Sequence, residues 1–459
     1  MKMLFALAAV AMSLRPFDAG SDPPPPNVVV IVTDDQRWDT LSYMPHVQTL
    51  AQAGVLFTNA FASAAVCEPS RTSMLTGLYN HHLNADLGYP NPAKGFHDSS
   101  RDQSTLATWL HAAGYVTGLV GKYLNGNDQL APTIPPGWDD WFTFVTVGYW
   151  NWSVNDRGTV ASRTDYATDA LAARAVTFIR QHAAQPFFLW LAPFAPHSTK
   201  ETATTAPIPP PRYAHTFDAL PPFAAPNVPE VDRTDKPGWL QAVPPTTTAL
   251  LEAHRQGELG SILAVDDAVG VVVQALTTAG VLDHTAIFVL SDNGMMWNEH
   301  GFQNKLVGYE PSIRIPWLVV APWLNATVRE EPRIVLNVDM APTVMDLVGL
   351  ALPSPVNGVS LVPLLKNQPP AAWREDCLLE FLTPVFPVLP SYGGVRTTRW
   401  KYLATDEWRA QPEPAFEELY DLYADPYELD NLLVTNPNDP MVQSELLTLR
   451  ARLAALRAE

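Results

Sequence analysis

Residues 65–77 read Ala-Val-Cys-Glu-Pro-Ser-Arg-Thr-Ser-Met-Leu-Thr-Gly and set a thiol, Cys67, about one helical turn before a guanidinium, Arg71. Pro69 suits the start of a helix, where its missing N–H costs nothing and its φ is preset. Met74, Leu75 and Leu78 then supply an apolar stripe at helical spacing. Cys67 would sit at a helix N-terminus, where free amides and the helix dipole favour an anion. Arg71 returns along the same face with a planar, permanently charged fork. Together these groups suit a tetrahedral oxyanion. Alone, a cysteine before a helix is more often a small buried hydrophobe, so its partners decide.

Those partners come from the ends of strands. Residues 27–35 form a β-branched run closing on Asp34 and Asp35, the pattern of a strand buried on both faces of a parallel sheet. Residues 114–120 lead into Lys122, 186–192 into His197, and 285–294 into Asp292 and Asn293, with His300 and Lys305 in the loop beyond; 315–322 is a fifth apolar strand. Ligands of open α/β sheets collect past the strands' C-terminal ends. The expected fold is therefore α/β: a large, mostly parallel sheet sandwiched by helices, with a small C-terminal α+β subdomain. Asp34, Asp35, Asp292 and Asn293 offer only oxygen donors, which select a hard cation, Ca²⁺ or Mg²⁺. Arg71, Lys122 and Lys305 would neutralise the oxygens of an anionic ester.

Lys and Arg number 29 against 47 Asp and Glu, a net charge of -18. Such a surface repels nucleic acid and anionic membrane. With two cysteines, a modified Cys67 leaves Cys377 as a core hydrophobe and no disulfide. Residues 1–26 combine Lys2, an apolar run at 3–14 and prolines at 23–26. That run is too short to span a bilayer and reads as a secretory signal followed by a linker, so a secreted, periplasmic or otherwise exported protein without a transmembrane segment is expected. Residues 27–365 read as the catalytic domain and 366–459 as the C-terminal subdomain, a small antiparallel sheet plus a terminal helix at 443–457. Helices are expected at 44–54, 164–182, 252–280 and 339–350, with Asp266 and Asp267 on the polar side of the third. Strands are expected at 395–403 and 416–422. The aromatic stretch 137–155 reads as satellite core under a long loop, and proline-rich 199–248 as a rim or lid over the site.

Cys67-x-Pro69-Ser70-Arg71 followed by Leu75-Thr76-Gly77 resembles the signature of the formylglycine-dependent sulfatases, in the alkaline-phosphatase-like superfamily. The resemblance extends to Thr33-Asp34-Asp35, Gly114–Lys122, Ala195-Pro196-His197, Ser291-Asp292-Asn293-Gly294, Lys305 and Tyr309–Arg314, Val395–Tyr402 and Leu419–Leu422. It implies that Cys67 is converted by a formylglycine-generating enzyme to 3-oxoalanine, which with Asp34, Asp35, Asp292 and Asn293 holds one divalent cation, Ca²⁺ rather than Mg²⁺. Arg71 and Lys122 would orient the aldehyde hydrate, Lys305 with Lys122, His197 and His300 would bind the ester, and His197 would protonate the leaving alcohol. One hydrate oxygen attacks sulfur and expels the alcohol; the other collapses to the aldehyde and expels sulfate. Two positions depart from the pattern: Glu68 stands where a small residue is usual, and Leu124 where many sulfatases have His. Gly-Lys-Tyr-Leu-Asn at 121–125 is similar instead to the N-acetylglucosamine-6-sulfatase branch, with Lys122 or a water on Asn125 as the base for collapse. The implied activity is hydrolysis of sulfate monoesters, of a carbohydrate or of an aryl alcohol. The alternatives are a phosphonate or phosphate ester hydrolase of the superfamily, and a non-catalytic secreted binding protein with Cys67 unmodified.

Overall fold

The computed structural model describes residues 25–83, 92–199, 205–324, 328–382, 389–405 and 415–459; the apolar run at 3–14, and 200–204 of the proline-rich stretch, lie outside these. In chain order the strands are β1 (Asn27–Thr33), β2 (Val55–Phe57), β3 (Ala60–Phe61), β4 (Val116–Gly121), β5 (Asp140–Thr146), β6 (Trp152–Asp156), β7 (Thr159–Arg163) and β8 (Phe187–Ala192). There follow β9 (Thr285–Ser291), β10 (Trp317–Val320), β11 (Arg329–Glu331), β12 (Val335–Leu336), β13 (Asp376–Phe381), β14 (Tyr392–Thr397), β15 (Trp400–Thr405) and β16 (Phe416–Asp421). Ten of them make one sheet in the order β11-β2-β10-β9-β1-β8-β4-β5-β6-β7, β3 pairs with β12, and β13-β14-β15-β16 form a separate antiparallel sheet.

The centre of the large sheet, β9-β1-β8-β4-β5, is parallel. Thr33 lies opposite Ser291, and Gly121 opposite Ala192, so four C-terminal ends arrive level at one edge. Val28, Val30 and Val32 enter one core with Met74 and Leu75, while Val29 and Ile31 enter the other with Leu259 and Ile262. Burial on both faces is why β1 shows no alternation, and each such side chain contributes roughly 1.5–3 kcal/mol. The helix Thr248–Thr278 is long and apolar enough to cross a membrane, yet 67% of its apolar window is buried inside the protein. It packs on the helix Ala167–His182 and serves as a core element.

The fifth strand, β10, runs antiparallel to β9, in a sheet that is otherwise mostly parallel. Residues 292–316 between them close on themselves at the site edge, where the Gly294 amide donates to Ser312 O at 2.9 Å, so the chain re-enters the sheet from the edge at which it left. Three expectations need correcting. The aromatic stretch is not satellite core: it builds β5 and β6, which extend the main sheet, with Trp141 in one core and Trp152 in the other. Residues 395–403 hold two strands, β14 and β15, joined by a turn where the Arg399 and Trp400 amides donate to Thr397 Oγ1. Finally, Asp266 is buried and accepts from the His46 and Val47 amides at 2.9 and 2.8 Å. It thereby satisfies orphan donors of the helix Pro45–Ala51, while Asp267 does face outward, taking Arg212 and Tyr213. Cys377 lies in β13, buried and unpaired as expected.

Candidate active site

Each site residue is delivered by a strand exit or a helix start. Asp35 has φ 68, a left-handed conformation that Asp tolerates better than most residues. The Asp34 amide donates to Ala195 O (3.3 Å) and the Asp292 amide to Thr33 O (3.1 Å), tying three exits together. At the fourth, Gly121 has φ +116, and a Cβ there would lie 2.0 Å from Ala192 O. Only glycine lets the Lys122 amide donate to that same carbonyl at 2.7 Å. The helix that carries Cys67 and Arg71 runs Cys67–Thr76, starting two residues before Pro69, from extended Val66 (φ -145, ψ 135) to left-handed Gly77. Pro69 is still tolerated, because first-turn amides lack helical acceptors. Beyond β9, the Leu306 amide donates to Ala65 O (3.1 Å) and so brings Lys305 to Cys67.

The side chains converge in a buried cluster. The Cys67 thiol lies 3.1 Å from Asp34 Oδ1 and 3.7 Å from Asp35 Oδ1, and Lys305 Nζ donates to Cys67 Sγ at 2.7 Å. Lys305 also bonds Asp35 Oδ1. Lys122 Nζ donates to Asp34 Oδ2 (2.6 Å), and Arg71 reaches Asp292 Oδ2 (2.8 Å) and the Lys122 carbonyl (3.0 Å). Asp292 Oδ1 accepts from the Asp35 and Asn293 amides, and Asn293 Nδ2 donates to Asp35 Oδ1 at 2.8 Å. His197 Nε2 is 3.5 Å from Asp35 Oδ2, and its Nδ1 donates to Ser198 O at 2.7 Å.

Burial alone would raise the Asp34 carboxyl; Lys122, His197, Arg71 and Lys305 overcome it and hold it well below its ordinary range. Burial pushes the Cys67 thiol far up, helped by Asp34 and against both lysines. The unmodified thiol therefore stays protonated and is a poor nucleophile. Burial lowers His197, with Asp35 opposing.

Two features lay beyond sequence reasoning. Ser198 fixes the His197 ring through Nδ1, and Tyr149 donates to the His197 carbonyl at 2.8 Å; the aromatic stretch was the one visible trace of the second. His300 is engaged elsewhere: it is buried against Tyr309, with Nδ1 2.7 Å from Glu230 Oε2. Leu124 is buried in the core with Trp141, so position 124 offers no base.

A family model described as Sulfatase matches residues 26–350, most of the chain. The chain belongs to the sulfatase family. A second model, N-sulphoglucosamine sulphohydrolase, C-terminal, matches residues 298–459. This sulfatase is 30% identical to the N-acetylglucosamine-6-sulfatase of Bos taurus, over 83% of this chain and 75% of that protein. It is 31% identical to the extracellular sulfatase SULF-1 homolog of Drosophila melanogaster over 76% of this chain, but spans only 32% of that longer protein. Its fold matches that of BT4656, solved in complex with its substrate D-glucosamine-2-N,6-O-disulfate, at TM-score 0.80 and 23% identity over 95% of this chain and 98% of the other.

Among the described residues, Asp34, Asp35, Cys67 and His197 each bring one ligand atom to within 4.8 Å of the others. Asn293 Oδ1 is buried with no hydrogen-bond partner, as is Arg71 Nη2. An orphaned amide oxygen beside two carboxylates fits a hard cation, whose oxygen ligands it would complete.

Proposed function

We propose that this sulfuric ester hydrolase cleaves sulfate monoesters of carbohydrates, with residues 27–365 as the catalytic domain and 366–459 as its subdomain. The observation that carries this is the convergence of Asp34, Asp35, Asn293, Lys122 and Lys305 on a buried Cys67 that is unreactive as a thiol. We assign to Asp34, Asp35, Asp292, Asn293 and residue 67 the binding of one divalent cation, Ca²⁺ in preference to Mg²⁺ because the donors are numerous and, with residue 67 as formylglycine, all oxygen. Residue 67, converted from Cys67 by a formylglycine-generating enzyme, would offer the hydroxyl of its aldehyde hydrate as the nucleophile, and a cation held beside it would lower that hydroxyl's pKa.

The remaining roles follow from charge. Asp34, Asp35 and Asp292 balance Arg71, Lys122 and Lys305, three against three, so a dication tips the site positive and receptive to an anionic ester. Lys305 reaches residue 67 and is placed to hold the sulfate oxygens. Lys122 holds Asp34 and is placed to steady the attacking group. His197, pinned through Nδ1, presents Nε2 toward Asp35 and protonates the leaving alcohol there. His300, bonded to Glu230, acts only by shaping the loop that carries Lys305. The apolar run at 3–14 supports export.

The test is turnover of p-nitrophenyl sulfate and of sulfated monosaccharides by protein whose residue 67 has been read by mass spectrometry. Modified protein should hydrolyse both, and Cys67→Ala should lower the rate on the order of a thousandfold or more. Equal rates for the two proteins, or hydrolysis of a phosphonate monoester alone, would overturn the reading.

A further inference from the structure

A cavity of about 190 Å³ opens beside Lys122 and His197, between the loop after β4 and the end of β5. Its walls include Phe144 and Phe194, and Phe194 stacks on the His197 ring at 4.9 Å and 28°. Below the range for drug-sized ligands, it has room for one sugar ring against the aromatic wall. The loop along its other side is braced. Asn127 Nδ2 donates to Phe144 O (2.7 Å) and Thr143 Oγ1 (3.2 Å), and the Ala93 amide donates to Asn125 O (3.0 Å). That bracing sets Asn125, Asn127 and Asp128 along the cavity. Asp128 is solvent-exposed, and Gln129 Nε2 donates to its Oδ2 at 2.6 Å, leaving Oδ1 for a ligand. Among the described lining residues Asp128 is the one acid, and Lys122 the one permanent cation.

Lys122 at the floor, which shares its ammonium with Asp34 Oδ2 at 2.6 Å, and Asp128 at the rim set groups of opposite charge at the two ends of the cavity. We infer that it takes a zwitterionic sugar: a single amino sugar whose sulfate goes to the Lys122 end and whose unsubstituted ammonium is read by Asp128. Asp128 is then a specificity-determining residue that turns away N-sulfated sugars by like-charge repulsion and binds N-acetylated ones without an ion pair. This rests on the sulfatase reading, since it fixes which end of the sugar faces Lys122.

The experiment is calorimetric binding of the desulfated product sugars glucosamine, N-acetylglucosamine and N-sulfoglucosamine to the purified full-length enzyme, in the wild type, Asp128→Asn and Asp128→Glu. None of these sugars is a sulfate ester, and an assay for released inorganic sulfate confirms that N-sulfoglucosamine stays intact during the titration. Glucosamine should bind about tenfold more tightly than N-sulfoglucosamine, the sum of one attraction gained and one repulsion avoided at a partly solvated site. Asp128→Asn should shrink that ratio to within about threefold and Asp128→Glu should restore most of it. Equal binding of the three sugars, tighter binding of either N-substituted one, or a ratio untouched by Asp128→Asn would overturn the inference. Hydrolysis of p-nitrophenyl sulfate by the same preparation reports on the sulfatase reading separately.

Discussion

Two of the buried charge clusters among the described residues are built differently. Around Glu310 every charge meets its opposite. Glu310 takes both Arg396 nitrogens (3.1 and 3.2 Å) and Lys401 (2.8 Å); Lys401 also reaches Glu428 (2.6 Å), whose other oxygen accepts the Glu310 amide at 2.9 Å. Burial would raise the Glu310 carboxyl, but Arg396 and Lys401 hold it well below the ordinary carboxylate range. Around Cys67 the count of charges balances but the bonds do not: Lys305 is shared between Asp35 and Sγ, and Asn293 Oδ1 and Arg71 Nη2 have no hydrogen-bond partner. A fully satisfied polar network fixes a fold, whereas one that converges on unused ligand atoms is poised for something to bind. The first cluster ties β14 and β15 of the small sheet to the helix Glu310–Ile313 that precedes β10. The second is the cluster to which we assign the chemistry.

The sharpest way to break this contrast is to damage one cluster and watch the other's property. His197→Ala should lower hydrolysis of sugar sulfates by about a hundredfold or more, while p-nitrophenyl sulfate, whose leaving group needs no proton, loses far less and the thermal unfolding curve barely moves. Equal losses on both substrates would remove His197 as the proton donor. Lys401→Met acts on the scaffold. It leaves Glu428 without its cation beside Glu310, which keeps Arg396, and should cost roughly 3–5 kcal/mol of stability by chemical denaturation, with kcat per folded molecule retained. A stable variant with lost activity would reverse the two assignments.

A smaller effect sharpens the comparison at a third buried carboxylate. Glu258, on the helix Thr248–Thr278, accepts from Trp297 Nε1 at 2.6 Å, and burial pushes its carboxyl up to about 8 despite that bond and Arg37. In the unfolded chain a glutamate ionises near about 4.3. Between those values the folded state binds the extra proton, so this group subtracts stability as pH rises from about 4 to 8. Glu258→Gln should flatten that slope, raising Tm by about a few degrees or less at pH 8 and hardly at all at pH 4. An unchanged slope in melts across this range would show that Glu258 is not held protonated.

How much of this was legible in the sequence depended on what each signal encodes. Burial on both sheet faces writes itself into composition, so the β-branched run before Asp34 and its counterpart before Asp292 were readable, and their polar exits with them. Cys67 and Arg71 were readable because a helix start imposes local rules. Strand direction leaves no such mark: β10 is as apolar as the parallel strands at the centre of the sheet, and its reversal follows from the long loop 292–316 closing on itself at the site edge, a contact between distant residues. Asp266 looked like an outward-facing acid because its partners, the His46 and Val47 amides, belong to a distant helix end. His300 sat at the right separation from Lys305, but its buried bond to Glu230, in the proline-rich stretch, decided where its ring points. Ser198 acts through its backbone carbonyl, which no side-chain pattern reports.

The central claim is that separate loops of this chain build one cation site against residue 67. Anomalous diffraction from crystals grown with Ca²⁺ tests it most directly. The account predicts one strong peak about 2.3–2.6 Å from oxygens of Asp34, Asp35 and Asn293, adjoining residue 67, with Lys122 and Lys305 flanking it. A peak elsewhere, or those side chains still paired only with one another at saturating Ca²⁺, would contradict it.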